Sequence, residues 1–337
     1  MRFETPRLCV REFTMEDFPD LWEILGDPIA MEHMRSYEEA EAREFLRTFC
    51  VERTPPGAYA AALREDGKVI GYLLCNQIDA PGVYELGWMF HRAYWRQGYA
   101  EEAVRALTAC LFREEDAFRL VAETVDTDRC VPFLEKLGWR REGVFRQHSL
   151  GNDGRRRDLY WYGLLRRDLP VEIGPAGAAD VPGVIALLRR RVDWMEERDF
   201  HQWNRTGYLD RYTEDHFLRL VREGTLFAAR DAAGLAGAMA LPRRDPRWPN
   251  GDDGRAFYVH HLVTDPRRPG LGRDLLTWAE GYTGDQGRTF LRLDSQEGNH
   301  ALGRYYDALG YPAVGTCADG PYRGVLREKP LVPFTET

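Results

Sequence analysis

One stretch of this chain occurs twice, and it constrains the fold more than any other feature. The first copy is Trp95-Arg96-Gln97-Gly98-Tyr99-Ala100, and the second is Arg267-Arg268-Pro269-Gly270-Leu271-Gly272. Each follows an apolar, strand-like run, 84–90 in one case and 257–263 in the other. Each leads into apolar residues at helical spacing: Val104, Leu107 and Leu111, then Leu275, Leu276 and Ala279. A second matching stretch follows each, ending Leu137-Gly138-Trp139 and Leu309-Gly310-Tyr311. Forty residues separate Gly98 from Gly138, and forty separate Gly270 from Gly310. Equal spacing within one chain marks an internal duplication. The 337 residues are therefore read as two domains, 1–168 and 171–337, joined by a polar segment that ends at Pro170.

The chemistry of the repeated stretch is anion binding. A glycine between a strand and a helix lets the backbone take positive φ or approach a ligand closely. The unpaired N–H groups of the helix's first turn then face the ligand, where the helix dipole favours negative charge. Arg96, Arg267 and Arg268 add cations that pair with phosphate. A pyrophosphate-bearing cofactor fits. An ordinary turn would account for one copy but poorly for two at equal spacing. Pro269 removes one N–H from the second cradle.

The net charge of −8 disfavours nucleic acid as a partner and favours a cationic small molecule such as an amine. Cysteines 9, 50, 75, 110, 130 and 317 form no metal knuckle, redox pair or disulfide framework, which suits a reducing cytosol. The charged amino terminus has no signal-peptide core, and no apolar run is long enough to span a membrane. The expectation is a cytoplasmic monomer or homodimer with no metal and no membrane partner.

Taken in order, a strand at 7–13 precedes Thr14, an N-cap with Asp17 at the third position. Helices follow through Phe18, Leu21, Trp22 and Leu25 and across 37–52. Strands are expected at 58–63, 69–76 and 83–90, then the loop and its helix, a strand at 119–124 and a helix at 129–137. Strands near 143–150 and 158–165 flank the turn Asn152-Asp153-Gly154. The second half repeats this order, with helical regions from 179 and over 189–222 and strands at 225–230 and 235–241. An insert at 243–254, rich in Pro, Gly and Asp, reads as a surface loop. A strand at 256–264, the second loop and its helix, a strand at 290–294, a helix at 299–308 and two strands complete it. Hairpins and βα crossovers together give an α/β fold, each half a mixed, mostly antiparallel sheet flanked by helices.

On these residues each half resembles the GCN5-related N-acetyltransferase (GNAT) family, whose acetyl-CoA motif is Gln/Arg-x-x-Gly-x-Gly/Ala. The first half is similar to the branch that acetylates the amino termini of ribosomal proteins. It matches at Glu4-Thr5-Pro6-Arg7-Leu8, Gly87-Trp88, Tyr94 to Ala100, Glu135 to Gly138, Asp153-Gly154 and Arg157-Asp158. The second half is similar to small-molecule acetyltransferases at Arg267, Gly270, Gly272, Arg292-Leu293-Asp294, Asn299 and Tyr305-Tyr306. The resemblance implies two tandem GNAT-like domains that use acetyl-CoA as cosubstrate and an amine of a small molecule or peptide as acceptor. It implies cofactor contacts at Phe90, Trp95, Arg96, Gln97, Gly98, Tyr99 and Ala100, and at Val263, Arg267, Arg268, Gly270, Leu271, Gly272 and Asn299. The first half departs from the family motif at Trp95, where Gln or Arg is commoner although this branch often has Trp, and from its branch at Thr127 and Cys130, where Asn and Ser are usual.

Direct acyl transfer needs a base to free the amine, a donor to polarise the thioester carbonyl, and a proton for the departing thiolate. In the first half Glu85 is the candidate base, on a strand face with Gly87 and Met89, and Cys130 the candidate acid. An exposed strand glutamate and a packed cysteine are the bland alternatives. In the second half Tyr306, four residues before Gly310, is the candidate acid. His260 or His261 is the candidate base, with His261 taken forward, and strand alternation sends the two to opposite faces. A core aromatic, a structural histidine and an N-cap role for Asn299 are the alternatives there. Phe257 occupies the position of Glu85, so the halves cannot share one mechanism. Asp193 to Glu197 and His201-Gln202-Trp203 lie where the family's acceptor helices lie and suit a cationic acceptor, or else a solvated acidic face. The second half reads as the more complete small-molecule site. The first is the candidate for a silent, structural or CoA-sensing module.

Overall fold

The computed structural model describes residues 1–34, 37–151, 153–200, 202–249, 253–320 and 322–331. Asn152 and His201 lie outside them. The chain divides into two compact units, Met1–Leu169 and Pro170–Thr337.

Unit 1 runs β1 (Phe3–Glu4), β2 (Leu8–Arg11), α1 (Phe18–Leu25), α2 (Glu39–Phe45), β3 (Ala58–Leu63), β4 (Val69–Gln77), β5 (Val83–Phe90), α3 (Tyr99–Arg113), β6 (Arg119–Thr124), α4 (Cys130–Lys136), β7 (Arg140–Leu150) and β8 (Arg156–Leu165). Its eight strands lie in the order β1-β2-β3-β4-β5-β6-β8-β7. Thr14 and Asp17 form the expected capping box, around a 3-10 turn that leads into α1. β3 is buried at all six positions, as a central strand covered on both faces must be. Phe18, Leu21, Ile24 and Leu25 of α1 pack with Ala58, Ala60, Val69 and Tyr72 in the core.

Unit 2 runs β9 (Glu172–Pro175), α5 (Val181–Glu197), α6 (Tyr208–Arg211), α7 (Glu214–Arg222), β10 (Leu226–Asp231), β11 (Gly234–Ala240), β12 (Ala256–Thr264), α8 (Leu271–Asp285), β13 (Phe290–Gln296), α9 (His300–Ala308), β14 (Ala313–Asp319) and β15 (Tyr322–Pro330). The strand order is β14-β15-β13-β12-β11-β10-β9. The helical region expected over 189–222 is broken. α5 continues to Glu197, and two short helices follow a left-handed Gly207.

Among the described residues each sheet contains one parallel pair, and in each the pairing stops early. β5 pairs with β6 only over Val83–Glu85, although β5 continues to Phe90. β12 pairs with β13 only over Ala256–Val259, although β12 continues to Thr264. The second half of each strand therefore borders a gap on that side. In β5 the ladder with β4 is regular. His91 N–H donates to Ile70 O, so alternation turns the backbone groups of Leu86, Trp88 and Phe90 toward the gap.

β12 differs. Tyr258 N–H donates to Pro242 O, and Asp265 N–H to Ala236 O, on the β11 side. Between them the register shifts from Ala240↔His260 to Ala238↔Val263. The parity has changed, so His261 and Leu262 both turn their backbone groups away from β11. His261 sits at φ 54°, the left-handed conformation of a bulge residue. The bulge also corrects the expectation that His260 and His261 face opposite ways, because their rings lie 6.1 Å apart.

The insert after β11 is a surface loop at Arg243, Arg244, Pro246 and Pro249, as its composition suggests, but it is anchored at two points. Asp245 and Trp248 are buried. Trp248 packs with Ala256, Tyr258 and Leu326, which folds the insert against β12 and β15.

Candidate active site

Both glycine loops form helix N-termini. Gly98 caps α3 at φ 82°, and Gly270 caps α8 at φ 99°, conformations open to glycine and costly for other residues. A Cβ on Gly270 would meet nothing within 4 Å, so the backbone there borders open space.

The unit 1 cradle is the fuller. Glu102 N–H closes the first intrahelical bond to Gly98 O, leaving Tyr99, Ala100 and Glu101 as first-turn donors. Arg96 is exposed in the loop at φ 59°. The other motif side chains hold the loop's shape. Trp95 Nε1 donates to Phe90 O at 2.7 Å, Gln97 Nε2 donates to Ala93 O at 2.8 Å, and Tyr99 stacks beneath Arg7 at 4.0 Å. Arg7 is a loop residue the motif reading missed. Its Nη1 donates to Gln97 O at 2.9 Å, and its Nε pairs with Glu102 at 2.7 Å. The signal was present in Glu4-Thr5-Pro6-Arg7-Leu8, but nothing in the sequence alone brought it to residues 97–102.

The unit 2 cradle is narrower. Leu271 N–H bonds to Arg268 O and Arg273 N–H to Gly270 O, leaving Gly270 and Gly272 as its open amides. The two arginines expected at a phosphate are drawn elsewhere by buried carboxylates. Arg268 is buried and donates to Asp231 at 2.6 Å. Arg267 is held by both oxygens of the fully buried Asp265. A carboxylate taken out of water needs a partner, and these arginines supply it. Val263 and Leu271 are core side chains. Asn299 Oδ1 accepts from Leu302 N–H at 3.0 Å and so caps α9. It also borders a cavity of about 360 Å³ lined by His300, Arg304, Asp307 and Arg327.

The acid–base candidates of unit 1 sit on separate elements. Glu85 closes the parallel pairing opposite Val121. Burial, then Glu123 and Asp79, push its carboxyl above the ordinary value. Cys130 opens α4, and burial, then Asp126, push its thiol up, so it stays protonated at neutral pH. Trp88, on the gap side of β5, packs against Phe133 of α4 at 5.2 Å.

Unit 2 gathers far more chemistry at its gap. His260 Nε2 lies 3.1 Å from Asp245 Oδ2. That contact places the ring proton on Nε2 and leaves Nδ1 as the basic nitrogen. Burial raises Asp245, but His260 and then Arg247 outweigh it and hold the carboxyl below its ordinary value. Asp294, just past the last paired residue of β13, accepts from Tyr322 Oη at 2.5 Å and from Arg247 Nη1 at 3.2 Å. Asp245, His260 and Asp294 bring donor atoms within 4.8 Å of one another, but Arg247 already supplies positive charge there. Tyr306 is raised by burial, then by Tyr305 and Asp294, which keeps its phenol protonated.

His261 is not arranged as a base. Its Nδ1 faces Tyr208 Oη at 2.5 Å and its Nε2 faces His216 Nε2 at 3.0 Å. Both nitrogens face other side chains, so His260 rather than His261 is the candidate to take a proton directly from an acceptor. Asp245 and Tyr208 were missed. Asp245 was hidden by the polar composition of the insert, although Trp248 within it signalled burial. On α5, Glu196 binds Asn204 and Arg205 and Trp194 stacks with Arg191 and Arg198, while Asp193 and Glu197 are exposed.

Among the described residues no helix is long and apolar enough to cross a membrane. An acetyltransferase (GNAT) domain model matches residues 7–140, and an acetyltransferase (GNAT) family model matches residues 188–311. The uncharacterised N-acetyltransferase YnaD of Bacillus subtilis (strain 168) is 28% identical over 175 residues, half of this chain and 99% of that protein. The uncharacterised N-acetyltransferase p20 of Bacillus licheniformis is 26% identical over 171 residues, 49% of this chain and 96% of that protein. A solved GNAT acetyltransferase from Bacillus anthracis is 25% identical, covering 49% of this chain and 98% of its own, with a TM-score of 0.45. The two family matches fall one in each unit and together take in well over half of the sequence, so this chain belongs to the GNAT family of acetyl-CoA-dependent acyltransferases and carries two of its domains.

Proposed function

We propose that unit 2 transfers an acetyl group from acetyl-CoA directly to a primary amine of a small molecule or peptide, and that unit 1 binds the same cosubstrate without comparable chemistry. The bulge at His261 carries this reading. It turns two consecutive backbone positions toward the gap, one residue after a histidine paired with a buried carboxylate. An amide pair aimed at the thioester oxygen would stabilise the charge that develops there. His260, oriented by Asp245, takes a proton from the acceptor ammonium at Nδ1. The first-turn amides of α3 and α8 would hold the pyrophosphate. A phenol supplies the proton for the departing thiolate, and Tyr306 is the one the family motif names.

A second reading, with unit 1 also active, is favoured by the raised carboxyl of Glu85. Thiol release from acetyl-CoA with a panel of primary alkyl amines and short peptides with free amino termini tests both. The variants are Ala100→Trp and Gly272→Trp, which fill the third motif position of each loop. Loss of turnover in Gly272→Trp alone supports the first reading. Loss shared by both variants supports the second.

A further inference from the structure

Four side chains of unit 2 form an unbroken line of hydrogen bonds. Arg219, exposed on α7, directs Nη2 to His216 Nδ1 at 2.8 Å. His216 Nε2 meets His261 Nε2 at 3.0 Å, and His261 Nδ1 meets Tyr208 Oη at 2.5 Å. The line has only one consistent direction. A guanidinium has no acceptor, so His216 Nδ1 is bare and its proton is on Nε2. That proton is donated to His261 Nε2, which is therefore bare. His261 carries its own proton on Nδ1 and donates it to Tyr208. The phenol oxygen already accepts one bond, and its hydrogen points elsewhere. Burial holds His261 well below its ordinary value, and the charges acting on it, from His260, His216 and Arg247, all oppose a second proton on the ring. Burial and then Arg219 also lower His216. Trp203 stacks on Tyr208 at 4.6 Å, and Tyr212 packs beside it at 4.7 Å, fixing the phenol's position.

We infer that Tyr208 is a catalytic proton donor of unit 2, kept loaded by a relay through His261 and His216 that Arg219 orients, and that it takes the role the family motif gives to Tyr306. This rests on the reading that unit 2 carries out the acyl transfer. Tyr208 Oη lies 2.5 Å from His261, the bulge residue that borders the gap. Burial and, among the charges, Asp294 raise both phenols. Both phenols pack against core residues, but hydrogen bonds lead from Tyr208 to Arg219 at the surface. The steps balance. As the N–C bond forms and the C–S bond breaks, sulfur leaves with the bonding pair and takes the Tyr208 proton. His261 refills Tyr208, His216 refills His261, and water protonates His216 Nδ1 as Arg219 withdraws. The line then points outward. The second proton lost by the acceptor nitrogen travels back along it to water and restores the first arrangement. The first acceptor proton leaves through His260. The acceptor ammonium thus loses two protons, the thiol gains one, and one is released.

The test uses the full chain, ¹⁵N-labelled at histidine, with tautomers read by NMR in the absence of acceptor. His261 is expected as the Nδ1–H form and His216 as the Nε2–H form, and Arg219→Ala is expected to give His216 a tautomer mixture. A proton on Nε2 of His261 overturns the relay. In turnover with the amine panel, Tyr208→Phe is expected to lower kcat about 100-fold and leave the acetyl-CoA KM within about twofold. Tyr306→Phe is expected to lower kcat less than about tenfold. The reverse ranking makes Tyr306 the donor and sinks the proposal while unit 2 remains the active half. Turnover intact in Gly272→Trp would remove the reading of unit 2 itself, and the proposal with it.

Discussion

The two units share one fold and furnish it with different side chains. Unit 1 has the better anion cradle: three open first-turn amides, an exposed Arg96, and a loop braced by Arg7. Its strand at the gap is regular, and its acid–base candidates, Glu85 and Cys130, are not joined by a hydrogen-bond network. Unit 2 has the poorer cradle, with Pro269 in the loop and its two arginines turned to Asp265 and Asp231. It nonetheless concentrates a bulge, His260 and His261, the carboxylates Asp245 and Asp294, and Tyr208 around the gap. Duplication preserves the frame of strands and loops. The side chains on that frame diverge, because binding a pyrophosphate and moving protons place separate demands on it.

The largest expected effect tests which half does the chemistry. Gly272 lies in the first turn of α8 without positive φ, and a Cβ there would meet only Tyr305 Oη, at 3.9 Å. Tryptophan at this position fills the cradle without straining the backbone. Gly272→Trp is expected to abolish turnover, and Ala100→Trp to preserve it while removing one of two acetyl-CoA sites measured by calorimetry. Turnover lost in Ala100→Trp and kept in Gly272→Trp would reverse the comparison.

The next effect sharpens the assignment within each unit. His260→Ala removes the proposed base and is expected to lower kcat about 1,000-fold. Glu85→Gln keeps the shape of its site and is expected to change kcat less than about threefold. Kinetics that ranked these two in the opposite order would place the chemistry on β5.

A smaller effect concerns pH, and the two units are expected to respond with opposite sign. Burial raises Glu85, so its cost is absent below the ordinary carboxylate range and appears as pH rises through it. Asp245 is raised by burial but held below its ordinary value by His260 and Arg247. It therefore contributes stability above the ordinary carboxylate range, lost as pH falls through its lowered value. Hydrogen exchange of β5 amides above about pH 4 reads the first slope, and of β12 amides below about pH 4 the second. Glu85→Gln should flatten the first and Asp245→Asn the second. Parallel slopes in the two strands would contradict the assigned environments.

The repeat, the sheet class and both loops were legible in the sequence because their causes are local. A glycine that must take positive φ between a strand and a helix leaves the same mark wherever it occurs, and Gly98 and Gly270 both left it. The site was only partly legible because its decisive features are not local. Nothing in Phe257 to Val263 signals that His261 takes a positive φ, since the bulge arises from the register with β11. Arg268 looked like a phosphate ligand because Asp231, its buried partner, lies 37 residues earlier. Asp245 was obscured because Pro, Gly and Asp read as solvent-exposed whether or not a tryptophan folds them inward. Two adjacent histidines in a strand were the one clear hint, and alternation misassigned their directions.

The smallest effect separates a structural role from a binding role at Asn299. The family motif places this asparagine on the coenzyme, while its Oδ1 caps α9 by accepting from Leu302 N–H. Losing an N-cap costs about 1 kcal/mol of local stability. Because α9 also carries Tyr306, fraying its first turn would loosen one side of the gap. If the cap is the whole role, Asn299→Ala should speed hydrogen exchange in α9 while acetyl-CoA affinity stays within about twofold, and Asn299→Ser, which can still cap, should restore the exchange rates. If the amide also holds the coenzyme, both variants should weaken acetyl-CoA binding by about tenfold, because serine is too short to replace a lost hydrogen bond of about 1.5 kcal/mol. The serine variant thus tells whether the second unit's binding site extends beyond its two open glycine amides.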